Sequence, residues 1–202
     1  MIRKIMTEQE KEKRDNKRKR IIGIALGLIM LLSSIGYAFM SFEDNGSGSS
    51  KIKIKGVEFS KTENGVWSFN YGNKDYEVFY NPEQVNNISV ITSKSLGNYY
   101  NLPLYFGINS IADINNNANY EIARNLQGVM LKSQLACLNE NCSSENNYPL
   151  KNCNEDNIII FKESLTNTTK VSENNKCIVI EYTIGQEQRV ADAYLFKLIG
   201  LN

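Results

Sequence analysis

The sequence predicts an α+β fold: an N-terminal transmembrane helix, then a two-layer domain with a mostly antiparallel sheet, one long helix and a C-terminal helix. Three observations predict it. Residues 21–42 run for 22 positions without a charge. Beyond residue 50, short alternating or β-branched runs recur between turn signals. Two longer segments space their apolar residues as a helix does.

Residues 1–20 form a basic tail. Nine lysines and arginines stand against four acidic residues, a local charge of +5 in a chain of net +1. The tail could be read as a nucleic-acid arm, but the apolar run begins directly after Arg20 and favours a cytoplasmic flank, with no nucleic acid as partner. The run Ile21 to Phe42 suits a bilayer, since a hydrocarbon core of ~30 Å takes about 20 helical residues. Tyr37 and Phe39 sit at its far end, where aromatic residues favour the interface. Gly23 and Gly27 make a GxxxG pair that permits a homodimer through close helix approach. The rival is a signal peptide cut after Ala38; the 20-residue head and the apolar run past Ala38 favour the anchor. Either reading carries the remainder across the plasma membrane, with the N-terminus cytoplasmic and the lipid bilayer as first partner.

Residues 43–50, EDNGSGSS, form a flexible linker. An extracytoplasmic domain follows over 51–202. Lys51 to Lys55 alternates with period two, and Val57 to Phe59 extends that strand. Trp67 to Tyr71 and Tyr76 to Tyr80 are aromatic strands joined by a turn at Gly72 to Asp75. Asn81-Pro82 opens a short helix as N-cap and N1, ending near Asn87. Ile88 to Thr92 and Leu104 to Ile108 are further strands. Asn119 to Leu138 reads as the long amphipathic helix, with Ile122, Leu126, Val129, Met130 and Cys137 on one face. Ile158 to Glu163, Thr168 to Ser172 and Cys177 to Tyr182 form a meander with a turn at Asn174-Asn175. Glu187 to Leu201 is the C-terminal helix, with Gly200 at its C-cap.

The chain has no histidine. Ser-His-Asp and Cys-His chemistry and His-ligated metals are therefore excluded. No phosphate-binding loop or acidic metal cluster is present, and no cofactor is expected. Carboxylates remain as candidate acids and bases: Glu121, Glu163, Glu181, Asp192 and Asp113. Each is read first as a surface or helix-end charge. Tyr99, Tyr100, Tyr105 and Phe106 could form an aromatic platform, or simply pack the core.

Cys137, Cys142, Cys153 and Cys177 all follow the span. An even count in an exported domain reads as two disulfides. Four cysteines allow three pairings. Cys142 with Cys153 is preferred, closing the loop between helix and sheet; Cys137 with Cys177 would then pin the long helix to the last strand. A zinc site needs two C-x₂₋₄-C pairs; Cys137 and Cys142 lie at the edge of that spacing, and Cys153 and Cys177 far outside it. A disulfide exchanger lacks C-x-x-C. Asn45, Asn87 and Asn167 head sequons and are candidate glycosylation sites; Asn141 does too, but Cys142 crowds it. With asparagine at 27 of 202 positions, some sequons arise by chance.

From Tyr120 to Leu201 the chain carries Leu135-Ala136-Cys137-Leu138, Pro149-Leu150-Lys151-Asn152-Cys153, Ile158-Ile159-Ile160-Phe161 and Lys176-Cys177-Ile178-Val179-Ile180-Glu181. It closes on Ala191-Asp192-Ala193-Tyr194-Leu195-Phe196. This stretch resembles uncharacterised single-span membrane proteins of small-genome archaea. The resemblance implies the architecture and a paired state of the cysteines, and no activity. The expectation is a non-catalytic binding or assembly domain with a protein or cell-surface partner. A glycan-active carboxylate enzyme is the alternative, and a disulfide exchanger the weaker one.

Overall fold

The computed structural model describes Lys17, Lys19, Ile21, Ile22, residues 50–114 and residues 116–201. The apolar span beyond Ile22, including Gly23 and Gly27, lies outside the described residues, as do the linker's residues 43–49 and the candidate Asn45. Among the described residues no helix is long and apolar enough to cross a membrane.

The domain begins with a four-stranded antiparallel meander: β1 (Lys51–Ile54), β2 (Val57–Lys61), β3 (Trp67–Tyr71) and β4 (Lys74–Val78). Lys55 and Gly56 both adopt positive φ, the two-residue hairpin geometry that matches strand twist. The chain therefore folds back at this point, and Val57 starts a second strand rather than extending the first. Gly72 and Asn73 repeat the device. Alternation then puts Phe59, Trp67, Phe69, Tyr76 and Val78 on the buried face.

Helix α1 (Pro82–Val85) follows, with the Asn81/Gln84 capping box complete. A six-stranded sheet occupies the rest, in the order β5-β9-β10-β8-β6-β7. Its strands are β5 (Ser89–Ile91), β6 (Pro103–Ile108), β7 (Lys132–Cys137), β8 (Ile158–Glu163), β9 (Lys170–Asn174) and β10 (Cys177–Tyr182). Only β9 and β10 pair antiparallel; the other four pairings are parallel. The antiparallel expectation thus holds for the first sheet, and the second is mixed.

The long helix is the main correction. Helix α2 (Asn116–Leu126) stops after eleven residues, and Lys132–Cys137 is strand β7. Gly128 breaks the helix at φ +80°, a conformation that suits glycine. The apolar residues past it fit helical spacing equally well, which hid a β-α-β crossover from β6 to β7.

Helix α3 (Glu140–Asn146) follows β7, and α4 (Glu187–Ile199) ends the fold, with Gly200 as a left-handed C-cap. Helix α4 is buried without a break from Val190 to Phe196. A helix apolar on every side belongs in the middle of a structure. Phe196 meets Phe59 and Phe69 of the meander, while other α4 residues pack on β5, β9 and β10. Helices α1 and α2 also pack on α4. The two-layer expectation thus becomes two sheets that share one central helix.

The disulfides are Cys137–Cys142 and Cys153–Cys177. The preferred pairing of Cys142 with Cys153 and Cys137 with Cys177 is therefore corrected. Because Cys137 ends a strand, the turn into α3 brings Cys142 back over it, with Cα atoms 5.5 Å apart. Cys153 lies beside the start of β10, 5.0 Å from Cys177.

Candidate functional site

Two of the sequence's candidate carboxylates come together. Glu121 of α2 and Asp192 of α4 are both completely buried. Asp192 Oδ2 accepts the backbone N–H of Phe79 at 3.0 Å and of Tyr80 at 2.9 Å, where β4 runs into α1. Its Oδ1 is buried and meets no N–H or O–H donor. The Glu121 carboxyl neighbours Asp192, close enough for a hydrogen bond between the two acids. Two carboxylates cannot make that bond without a proton between them.

Arg124 holds the other side of Glu121, its Nη2 at 3.1 and 3.2 Å from the two carboxylate oxygens. It also reaches Glu77 Oε2 at 2.7 Å and the Glu77 carbonyl at 2.9 Å. Asn125 joins β4 as an extra strand would. Its Oδ1 accepts Glu77 N–H and its Nδ2 donates to Glu77 O and Glu121 O. Burial pushes both carboxyls above their ordinary range, Asp192 the further because Glu121's charge adds to it. Arg124 partly offsets the rise at Glu121.

A second buried pair lies at the six-stranded sheet. The hydroxyls of Tyr99 and Tyr194 are hydrogen-bonded to one another in full burial. Desolvation pushes Tyr99 up to about 12 and raises Tyr194 as well. Nearby, Glu173 accepts from Ser93 N–H and from the Thr92 and Ser93 hydroxyls, and the Ser93 N–H holds it below its usual range. Lys94 is 8% exposed, and its Nζ lies 3.4 Å from Asn157 Oδ1. Burial holds its ammonium below the ordinary lysine value.

Two surface cavities adjoin at Ile88. One, of about 420 Å³, is mostly apolar and lies between β1, α1 and α4, with Ile54, Pro82, Val85, Ala193, Phe196 and Leu201 in its wall. The other, of about 440 Å³, is polar and lies at the start of α4, with Asn87, Thr169, Thr183, Gln186 and Arg189. Arg189 is fixed there by Gln84 O, Asn87 Oδ1 and Gln186 Oε1. A concave apolar wall beside convergent polar groups is the usual form of a ligand site.

The other sequence candidates scatter. Glu163 and Asp113 are exposed, and Glu181 pairs with Lys170 at 3.5 Å. Tyr105 packs behind the six-stranded sheet with Ala136 and Ile158, while Tyr100 is exposed, so no aromatic platform forms. Asn87 is exposed, with its Oδ1 engaged by Arg189; Asn167 is exposed at a left-handed turn position. Among the described residues no group of cysteines, aspartates and glutamates could hold a metal. Sequence reasoning missed the burial of Asp192 and the whole of both cavities. The available signal was one acidic residue inside the apolar run Val190 to Phe196. Comparison with protein-family models, curated proteins and solved structures finds no match.

Proposed function

We propose that this chain is a membrane-anchored, extracytoplasmic binding or assembly domain that catalyses no reaction, and that it binds through the two cavities meeting at Ile88. The observation that carries the reading is their pairing: an apolar cavity and a polar one, side by side on one side of the domain. The uncharged run at 21–42 supports the anchor. The two disulfides agree with an oxidising compartment.

The enzymatic alternative finds less support. A glycosidase keeps its two carboxyls about 5–10 Å apart across an open cleft. Glu121 and Asp192 are neighbours in full burial, and neither lines either of these two cavities. Disulfide exchange is disfavoured too, since Cys137, Cys142 and Cys177 are buried.

The test is site-specific photocrosslinking in native membranes. A benzophenone side chain at Asn86, an exposed position on the apolar cavity, should give a discrete adduct that is lost when Glu83→Trp blocks the same cavity. The reading fails if a probe at Asp75, on the exposed end of the meander, gives the same adduct.

A further inference from the structure

The chain has no histidine, and its four cysteines are all in disulfides. The α-amino group aside, it holds nothing that titrates between about pH 5.5 and 8 at an ordinary pKa. A response to pH in that range must come from a group whose surroundings have moved it there.

Two buried carboxyls, both raised above their ordinary range, are the acids the structure offers for it. Glu121 and Asp192 sit on different helices, fully buried, and face one another. Asp192 also gathers the end of β4 through the N–H groups of Phe79 and Tyr80. The join between α2, α4 and the first sheet therefore includes one carboxyl–carboxylate contact, beside the Arg124 and Asn125 bonds to Glu77. We propose that Glu121 and Asp192 form a proton-operated lock: a shared proton holds this join together, and its departure to solvent leaves two buried carboxylates that push α2 and α4 apart. The next residue on α4, Ala193, and helix α1, entered two residues past Phe79-Tyr80, both line the apolar cavity. The lock thus sits behind that cavity's wall.

The charged groups facing the pair are few. Arg124 of α2 bonds Glu121 and favours its ionised form, while Glu77 of β4 opposes it and is itself paired with Arg124. The β4–α1 connection offers backbone N–H groups, which favour the ionised form of Asp192. Burial outweighs these in both residues. Each folded carboxyl therefore keeps its proton to a higher pH than its unfolded counterpart. The stability this confers is complete below the unfolded carboxylate range and is lost as pH rises through the folded one. Lys94 acts with the opposite sign, since burial favours its neutral form.

The experiment uses the full chain in a nonionic detergent. Trp67, the only tryptophan and buried in β3, reports thermal unfolding by fluorescence. The midpoint should fall between pH 5 and pH 8, by about 2–4 °C. Asp192→Asn keeps an acceptor for Phe79 and Tyr80 and gives Glu121 a permanent donor. It should raise the pH 8 midpoint above wild type and reduce the slope. Glu121→Gln should also reduce the slope, and the double variant should abolish it. The proposal is overturned if the wild-type midpoint is flat or rises with pH, or if the double variant keeps the wild-type slope. Should Asp192→Asn and the double variant fail to fold, Glu121→Gln decides by the same criterion: an unchanged slope overturns the proposal.

Discussion

Helix α4 carries one buried polar pair on each of two opposite faces. Toward the meander, Asp192 meets Glu121; toward the six-stranded sheet, Tyr194 meets Tyr99. All four side chains are essentially sealed from water. The same desolvation raises every one of them. The consequences diverge because the starting points differ. A phenol begins near 10 and moves further from neutrality, so the tyrosine pair stays neutral and inert at any physiological pH. A carboxyl begins near 4 and moves toward neutrality. One physical effect thus makes a fixed hydrogen bond on one face and a titratable contact on the other.

The largest test of this contrast is truncation. Asp192→Ala strands the N–H groups of Phe79 and Tyr80 and leaves Glu121 with Arg124 alone. It should cost about 3–5 kcal/mol in urea unfolding followed by Trp67 fluorescence. A cost near that of a surface substitution would mean the join does not depend on this residue.

A control of similar size lies away from both pairs. Replacing Cys153 and Cys177 with serine opens a 24-residue loop, worth about 3 kcal/mol. The wild-type dependence on pH should survive this loss. If it disappears, the dependence belongs to global stability and not to the carboxyls.

The tyrosine face should respond less. Tyr194→Phe leaves the Tyr99 hydroxyl buried without its partner, at a cost of about 1–2 kcal/mol, and adding Tyr99→Phe should recover most of it. Both effects should be constant from pH 5 to pH 9. A pH-dependent cost here would erase the distinction between the two faces.

The smallest effect concerns Glu173 and sharpens the acid end. Its carboxyl is held low by Ser93, so its contribution is present above the unfolded carboxylate range and is lost as pH falls through the folded value. Glu173→Gln should therefore cost a fraction of a kcal/mol, on the order of one exposed charge-assisted bond, at pH 7 and less at pH 2–3. Unfolding curves at the two pH values check it. The sign is opposite to that of the Glu121–Asp192 pair, so stability should peak on the mildly acidic side.

The sequence read several local features correctly where a few neighbouring residues decide, though it passed over the Lys55-Gly56 turn. The Asn81-Pro82 cap, the turn at Gly72-Asn73, the strand at Ile158 to Glu163 and the Gly200 C-cap all stand in the fold. It failed where one pattern suited two outcomes. Leu131, Leu135 and Leu138 continue a helical stripe beyond Gly128, yet the chain leaves the helix there and pairs Lys132–Cys137 with β6. That choice rests on a parallel partner some thirty residues earlier, which no local pattern records. The cysteine pairing failed with it, because a helix would have carried Cys137 away from Cys142 and a strand end turns it back.

The candidate site divides along the same line. Composition alone established that histidine chemistry is absent, so that side-chain titration near neutrality must come from a group displaced from its ordinary pKa. The apolar run around Asp192 carried the hint that this acid is buried. Only the tertiary structure placed Glu121 opposite it, 71 positions away in the chain. Helix caps and hairpin turns are settled by atoms within one turn of chain. Burial, a pair of facing carboxyls and a cavity are settled by whichever elements pack together, and a linear sequence does not state that adjacency.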